Sequence, residues 1–153
     1  MQMGAGFKIP TMFKFLKSLF SKSESPRPDL DRGEVERLEQ ALRRWVNDKC
    51  YRQCCISREE VAAQLDTSRT FLNRYFAQIL KVDFNTWRTE LRVADAKKIL
   101  LEQRDLPINI VGEMVGFSDR SNFHRQFTKI VGCTPKQWRE SSGRPITAKT
   151  IVL

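Results

Sequence analysis

The chain has 153 residues, 41% of them apolar, and sets 27 Lys and Arg against 18 Asp and Glu, for a formal charge of +9. That is room for one ordinary domain with a packed core, or two very small ones sharing an interface, and the basic balance points to a polyanionic partner, either nucleic acid or an anionic membrane surface. No apolar run reaches 18 residues, no glycine-rich phosphate loop or HExxH occurs, and His124 is the sole histidine, so neither a membrane span nor an enzyme is expected.

Residues 1–33 read as a basic amphipathic arm followed by a flexible linker. Within it "MFKFLKSLFSK" (12–22) places Phe13, Leu16 and Phe20 at helical steps between lysines. Such a stretch suits docking on a membrane surface or a partner, or is the frayed end of a longer parent chain. A helix is predicted over residues 34–47, with Val35, Leu38, Leu42, Trp45 and Val46 on its apolar side. Residues 48–56 form a connector with three of the four cysteines, Cys50, Cys54 and Cys55. The C-x3-C-C spacing matches no zinc pair, and with Cys133 these are expected to be free thiols in a reducing cytoplasm. No metal or cofactor is expected.

Ser57 and Glu60 have capping-box spacing for a short helix ending at Leu65. A turn at Asp66 and Thr67 follows, and Ser68 can cap a helix that turns Phe71, Leu72, Tyr75, Phe76 and Ile79 inward. A long helix is predicted over about 85–103, carrying Trp87, Leu91, Ala96, Ile99 and Leu100. Leu106-Pro107 breaks it, and helices over 108–115, up to Val131-Gly132, and from Pro135 to about Ser141 complete the reading. Residues 142–153 lack periodicity and are expected to be a disordered tail.

These helices contain a repeat. Shifted by 51 positions, residues 72–88 align without a gap on 123–139, with five identities in 17 positions: Arg74 with Arg125, Phe76 with Phe127, Ile79 with Ile130, Trp87 with Trp138, and Arg88 with Arg139. Upstream, "VAAQL" (61–65) matches "VGEMV" (111–115) at an offset of 50, so the second copy has one extra residue in its turn. Each copy reads as a helix-turn-helix: a small residue at the crossing (Ala62, Gly112), an apolar residue closing the first helix (Leu65, Val115), and a turn residue tolerant of positive φ (Asp66, Gly116). The second helix buries Leu72 and Phe76, or Phe123 and Phe127. Its opposite side then displays Arg69, Thr70, Asn73 and Arg74 in one copy, and Arg120, Ser121, His124 and Arg125 in the other.

That fringe has the chemistry of base-edge reading. Arginine pairs guanine, asparagine pairs adenine, and the hydroxyls and His124 serve base or phosphate, while a helix N-terminus favours a phosphate. Ser68, Arg69, Asn122 and Lys129 are the expected phosphate contacts. A connecting helix of about 19 residues would be roughly 28 Å long, against about 34 Å for one DNA turn. Two recognition helices on one chain could thus meet successive major grooves.

"GFSDRSNFHRQFTKIVGCTPKQWR" (116–139), "SRTFLNRYF" (68–76) and "LRVADAKKIL" (91–100) together resemble the DNA-binding region of the AraC/XylS family of bacterial transcription regulators. The resemblance covers about residues 34–141. It implies an all-α, homeodomain-like fold of about seven helices, with a first helix-turn-helix over about 57–80 and a second over about 108–131, joined by the long helix. It further implies a cytoplasmic, nucleoid-associated regulator of promoter DNA, usually an activator touching RNA polymerase. Thr70, Asn73, Arg74, Arg120, Ser121, His124 and Arg125 fall at the family's base-facing positions. Gly112 stands where alanine is usual and is expected to loosen its helix by about 1 kcal/mol. Ile110 stands where the pattern is usually polar. The rival readings are a nonspecific basic module for polyanions or membrane surfaces, and the DNA-binding piece of a larger sensor-regulator.

Overall fold

The structure, a computed structural model, describes residues 30–143. The arm, including the stretch at 12–22, and the tail from residue 144 lie outside the described residues. Seven α-helices occur among them: α1 (Arg32–Asn47), α2 (Arg58–Gln64), α3 (Arg69–Tyr75), α4 (Phe84–Glu102), α5 (Ile108–Met114), α6 (Arg120–Val131) and α7 (Pro135–Glu140). A 3-10 turn spans Cys50–Arg52, and a π-helical turn, Phe76–Leu80, extends α3. The described residues contain no strand, and none of their helices is long and apolar enough to cross a membrane. The fold is all-α.

The chain divides into two compact units. One holds the residues up to Arg44 together with Arg58–Glu90; the other holds Trp45–Ser57 and the chain from Leu91 onward. In the first unit Val35, Leu38 and Leu42 of α1 are buried, as are Val61, Ala62, Leu72 and Tyr75. Phe76, Phe84 and Trp87 meet in a triangle of rings with centroids 5.1 to 5.7 Å apart. In the second unit the core is Val93, Ala96, Ile99, Leu100, Val111, Val115, Phe117, Phe123, Phe127, Cys133 and Trp138.

The repeat is structural as well as sequential. Asp66 and Gly116 are the left-handed residues that end α2 and α5, at φ +51° and +102°. Each donates its N–H to the carbonyl three residues back, and the next residue donates to the carbonyl five back: Thr67 to Ala62, and Phe117 to Gly112, both at 3.0 Å. Paired closures of this kind satisfy the carbonyls that a helix end leaves open. Ser68 then caps α3, and Asp119 caps α6 with the one extra residue before it. At the far ends, Lys81 and Gly132 are both left-handed, and Asp83 and Thr134 accept from the amides three residues on. Every one of these pairs past the turn keeps the 51-residue offset.

Two features depart from expectation, and a third adds to it. Gly112 is not a loosening: a Cβ there would lie 2.8 Å from Cδ1 and 2.9 Å from Cγ of Phe123, whose ring is fully buried. The glycine lets α6 cross α5 at that distance. Second, Ser142 and Gly143, expected to open the tail, are tied back: the Gly143 N–H donates to the Trp138 carbonyl and Ser142 Oγ accepts from Arg104. Third, the connector is anchored. Tyr51 is buried, its hydroxyl donates to Asp95 Oδ2 at 2.9 Å, and Arg52 Nε donates to the same oxygen at 2.6 Å. Arg92 donates to the carbonyls of Tyr51 (2.7 Å) and Gln53 (2.8 Å).

Burial alone would raise the Asp95 carboxyl. The hydrogen bonds from Arg52 and Tyr51 outweigh it and hold that carboxyl below its ordinary value. Burial, and then the bond to Asp95, push the Tyr51 phenol up to about 12.

Gly112→Ala should gain about 1 kcal/mol of helix propensity and lose more to overpacking, for a net destabilisation of about 1–3 kcal/mol. Urea unfolding measures this, and adding Phe123→Leu should recover part of the loss. Asp95→Asn should cost roughly 1–3 kcal/mol at neutral pH. The Asp95 carboxyl is ionised more easily folded than unfolded, so its contribution is whole above about pH 3.9 and fades as pH falls through the lower folded value. The gap between wild type and variant should therefore close in acid. Tyr51 acts oppositely, its contribution being whole below about pH 10 and fading as pH rises through the folded value.

Candidate nucleic-acid interface

In the first motif the fringe starts at Ser68, whose Oγ accepts from the Phe71 N–H at 3.1 Å. Thr70 and Arg74 are exposed on α3. Arg69, also exposed, is paired with Glu59. Asn73 is half-buried, and its Oδ1 accepts from Arg58 Nη1 at 2.6 Å. Arg58 is held in turn from two other sides, by Asp83 at 3.7 Å and by the Phe84 ring, whose centroid lies 5.0 Å from its Cζ. A guanidinium has only donors, so the oxygen of the Asn73 amide must face it. The bidentate grip on adenine needs that oxygen as acceptor and the nitrogen as donor. Asn73 is left best suited to offer Nδ2 to an acceptor such as a purine N7. An open groove of about 500 Å³ beside it is lined by Arg58, Asn73, Ala77, Lys81 and Phe84 among others.

In the second motif Asp119 accepts from the N–H groups of Ser121 and Asn122, each at 3.0 Å. This cap is not among the features expected from the sequence. It matters because the free amides at the start of α6, expected to attract a phosphate, are already met by a carboxylate of the same sign as phosphate. Arg120, Ser121 and Arg125 are exposed, and Lys129 is exposed in the last turn. Arg125 Nη2 donates to Asn122 Oδ1 at 3.0 Å. The Asn122 oxygen thus steadies an arginine, which leaves Nδ2 as the atom for the phosphate contact expected of it.

His124 departs further from expectation. It is half-buried, its ring meets Phe123 edge-on with centroids 5.8 Å apart, and Nε2 is shut from solvent with no hydrogen-bond partner. Its place beside the buried Phe123 and Phe127 stripe draws it in. The structure therefore gathers Thr70 and Arg74 on one exposed face, and Arg120, Ser121 and Arg125 on another. Asn73 and His124 lie at the margins of these faces. Among the described residues no group of three or more His, Cys, Asp or Glu is placed to hold a metal.

The chain is similar to known helix-turn-helix proteins. The family described as "Helix-turn-helix domain" matches residues 61–141, more than half of the chain. The arabinose operon regulatory protein of Escherichia coli strain K12 is 37% identical over 79 residues, 52% of this chain and 27% of that protein. The chain thus spans little more than a quarter of that relative's length. A probable transcription factor of Proteus vulgaris, PqrA, is 26% identical over 74% of this chain and 92% of its own. Among solved structures, the C-terminal domain of AraT, a response regulator from Geobacillus stearothermophilus, superposes with a TM-score of 0.61 and 30% identity, over 73% of this chain and 88% of that one. The chain belongs to the AraC-type helix-turn-helix family of transcription regulators.

Proposed function

We propose that this chain binds double-stranded promoter DNA sequence-specifically, setting α3 and α6 into successive major grooves, and that it acts as a transcription activator in contact with RNA polymerase. The site of action is the cytoplasm, beside the nucleoid. One observation carries the reading: a duplicated turn–cap–helix unit, each copy burying an aromatic stripe and exposing arginine with a small hydroxyl.

In the first motif Thr70 and Arg74 read base edges, and Asn73 contributes as a donor positioned by Arg58. Arg120, Ser121 and Arg125 read in the second, with Arg125 steadied by Asn122 and His124 offering at most its outward edge. Ser68, Arg69 and Lys129 take phosphates. For Arg69 this means exchanging an exposed ion pair, which is weakly held, for the denser charge of the duplex backbone.

Selection from a random duplex library at about 150 mM salt tests the whole reading. Two short enriched motifs about one helical turn apart are expected. Binding without enrichment that vanishes as salt rises would reduce the chain to a nonspecific polyanion binder. Within the recovered operator, Arg125→Ala should cost about 1–3 kcal/mol and relax preference at one base pair; equal weakening on every duplex would remove it from base reading. Arg58→Met should leave affinity for random DNA nearly unchanged and alter preference at the single base pair beneath Asn73, because the amide is then free to turn. Competition titrations with operators substituted at that pair measure it.

A further inference from the structure

Cys54 and Cys55 are exposed neighbours in the connector turn, and their Sγ atoms lie only 3.0 Å apart. Cys55 is held in the left-handed region at φ +60°, which is unusual for a non-glycine residue. On their N-terminal side the chain is fastened by the Tyr51 and Arg52 bonds to Asp95 and by the two carbonyl bonds from Arg92, the second of them to Gln53. The sulfurs are thus juxtaposed at the edge of an anchored segment, open to solvent.

The other two thiols differ. Cys50 is half-buried, and burial, with Asp48 nearby, pushes its thiol up. Cys133 is buried in the second unit's core, and burial raises it too. A thiol that resists ionisation and access is a poor nucleophile, whereas an accessible cysteine beside a resolving partner is the arrangement that oxidants select.

We propose that Cys54 and Cys55 form a reversible redox site, which a peroxide-class oxidant closes into a vicinal disulfide and a cellular thiol reopens. One thiolate attacks the peroxide oxygen, breaking the O–O bond and becoming a sulfenic acid while the departing hydroxide takes a proton to become water. The neighbouring thiolate then attacks that sulfur, forming the S–S bond and expelling a second hydroxide, which leaves as water. Two thiols and one hydrogen peroxide thus give one disulfide and two waters. Reduction by two glutathione molecules returns both thiols and yields oxidised glutathione. In a reducing compartment the pair rests as thiols and closes only under oxidant, consistent with the transient disulfides such compartments allow.

Peptide mapping of the full chain tests this directly, because trypsin releases residues 53–58 with both cysteines and no others. After a small excess of hydrogen peroxide and thiol blocking with N-ethylmaleimide, that peptide should appear lighter by two hydrogens and unblocked. The peptides holding Cys50 and Cys133 should remain blocked as thiols. Glutathione added before blocking should restore two maleimides to the 53–58 peptide. Cys54→Ser and Cys55→Ser, both at exposed turn positions, should each abolish the change while keeping the helical circular dichroism of wild type. The proposal is overturned if the pair stays reduced while Cys50 or Cys133 reacts. It is equally overturned if one sulfur goes to sulfinic acid, or if the product is a disulfide between two chains.

Discussion

Each motif depends on the backbone reversing at a single left-handed residue, Asp66 in one copy and Gly116 in the other. At that residue two carbonyls of the ending helix are satisfied together, and the chain leaves in a direction that brings the next helix across Ala62 or Gly112. Once the crossing is fixed, Leu72 or Phe123 must enter the core, and the far side of the same helix must face outward. The arginines are exposed as a result of packing, because a helix burying apolar residues at four-residue steps has no other face to offer them. At Gly116 the constraint is doubled. Its φ is +102°, and a Cβ would run into the Arg52 carbonyl, so no other residue fits without moving the connector.

That connector gives the second unit a polar anchor beneath its apolar core. A buried carboxylate is costly unless its lone pairs are met, and Asp95 is met from two sides by Tyr51 and Arg52. The same segment is held a second time through Arg92, whose guanidinium also lies over the Phe117 ring. Arg92 thereby ties backbone before α2 to the turn after α5, within one unit. The interaction is directional, so it specifies where residues 51–53 lie, which hydrophobic burial alone would leave loose.

Much of this was legible in the sequence because the repeat is written in residue types with strong local physics. Trp87 and Trp138, Phe76 and Phe127, and the extra residue in the second turn all emerged from sliding the chain on itself, and helix ends followed from Ser68, Pro107 and Gly132. What escaped was contact between distant residues. Asp95 lies four residues after Leu91 and four before Ile99, on the buried side of α4, and a carboxylate there announces a partner; nothing local announces that the partners are Tyr51 and Arg52. The role of Gly112 escapes local sequence for a related reason. Helix propensity is a property of the residue, whereas the 2.8 Å approach of Phe123 is a property of the fold. Helical position alone gives the side that Asn73 and His124 occupy, but not that Arg58 already holds the Asn73 oxygen or that the His124 ring is half-buried.

The two copies are built to different standards, and the differences fall at matching positions. The second has glycine at its left-handed turn, a carboxylate cap accepting two amides, and a recognition helix of 12 residues. The first has aspartate at its turn, a serine cap accepting one amide, and seven α-helical residues that pass into a π turn. Arg58 corresponds to Ile108 at the 50-residue offset, and Asn73 to His124 at 51. In the first copy the arginine grips the asparagine; in the second the isoleucine packs on the core, and the histidine has a nitrogen that nothing meets. Two positions thus differ together between the copies, one at the start of the first helix and one on the helix that follows: arginine with asparagine in the first, isoleucine with histidine in the second.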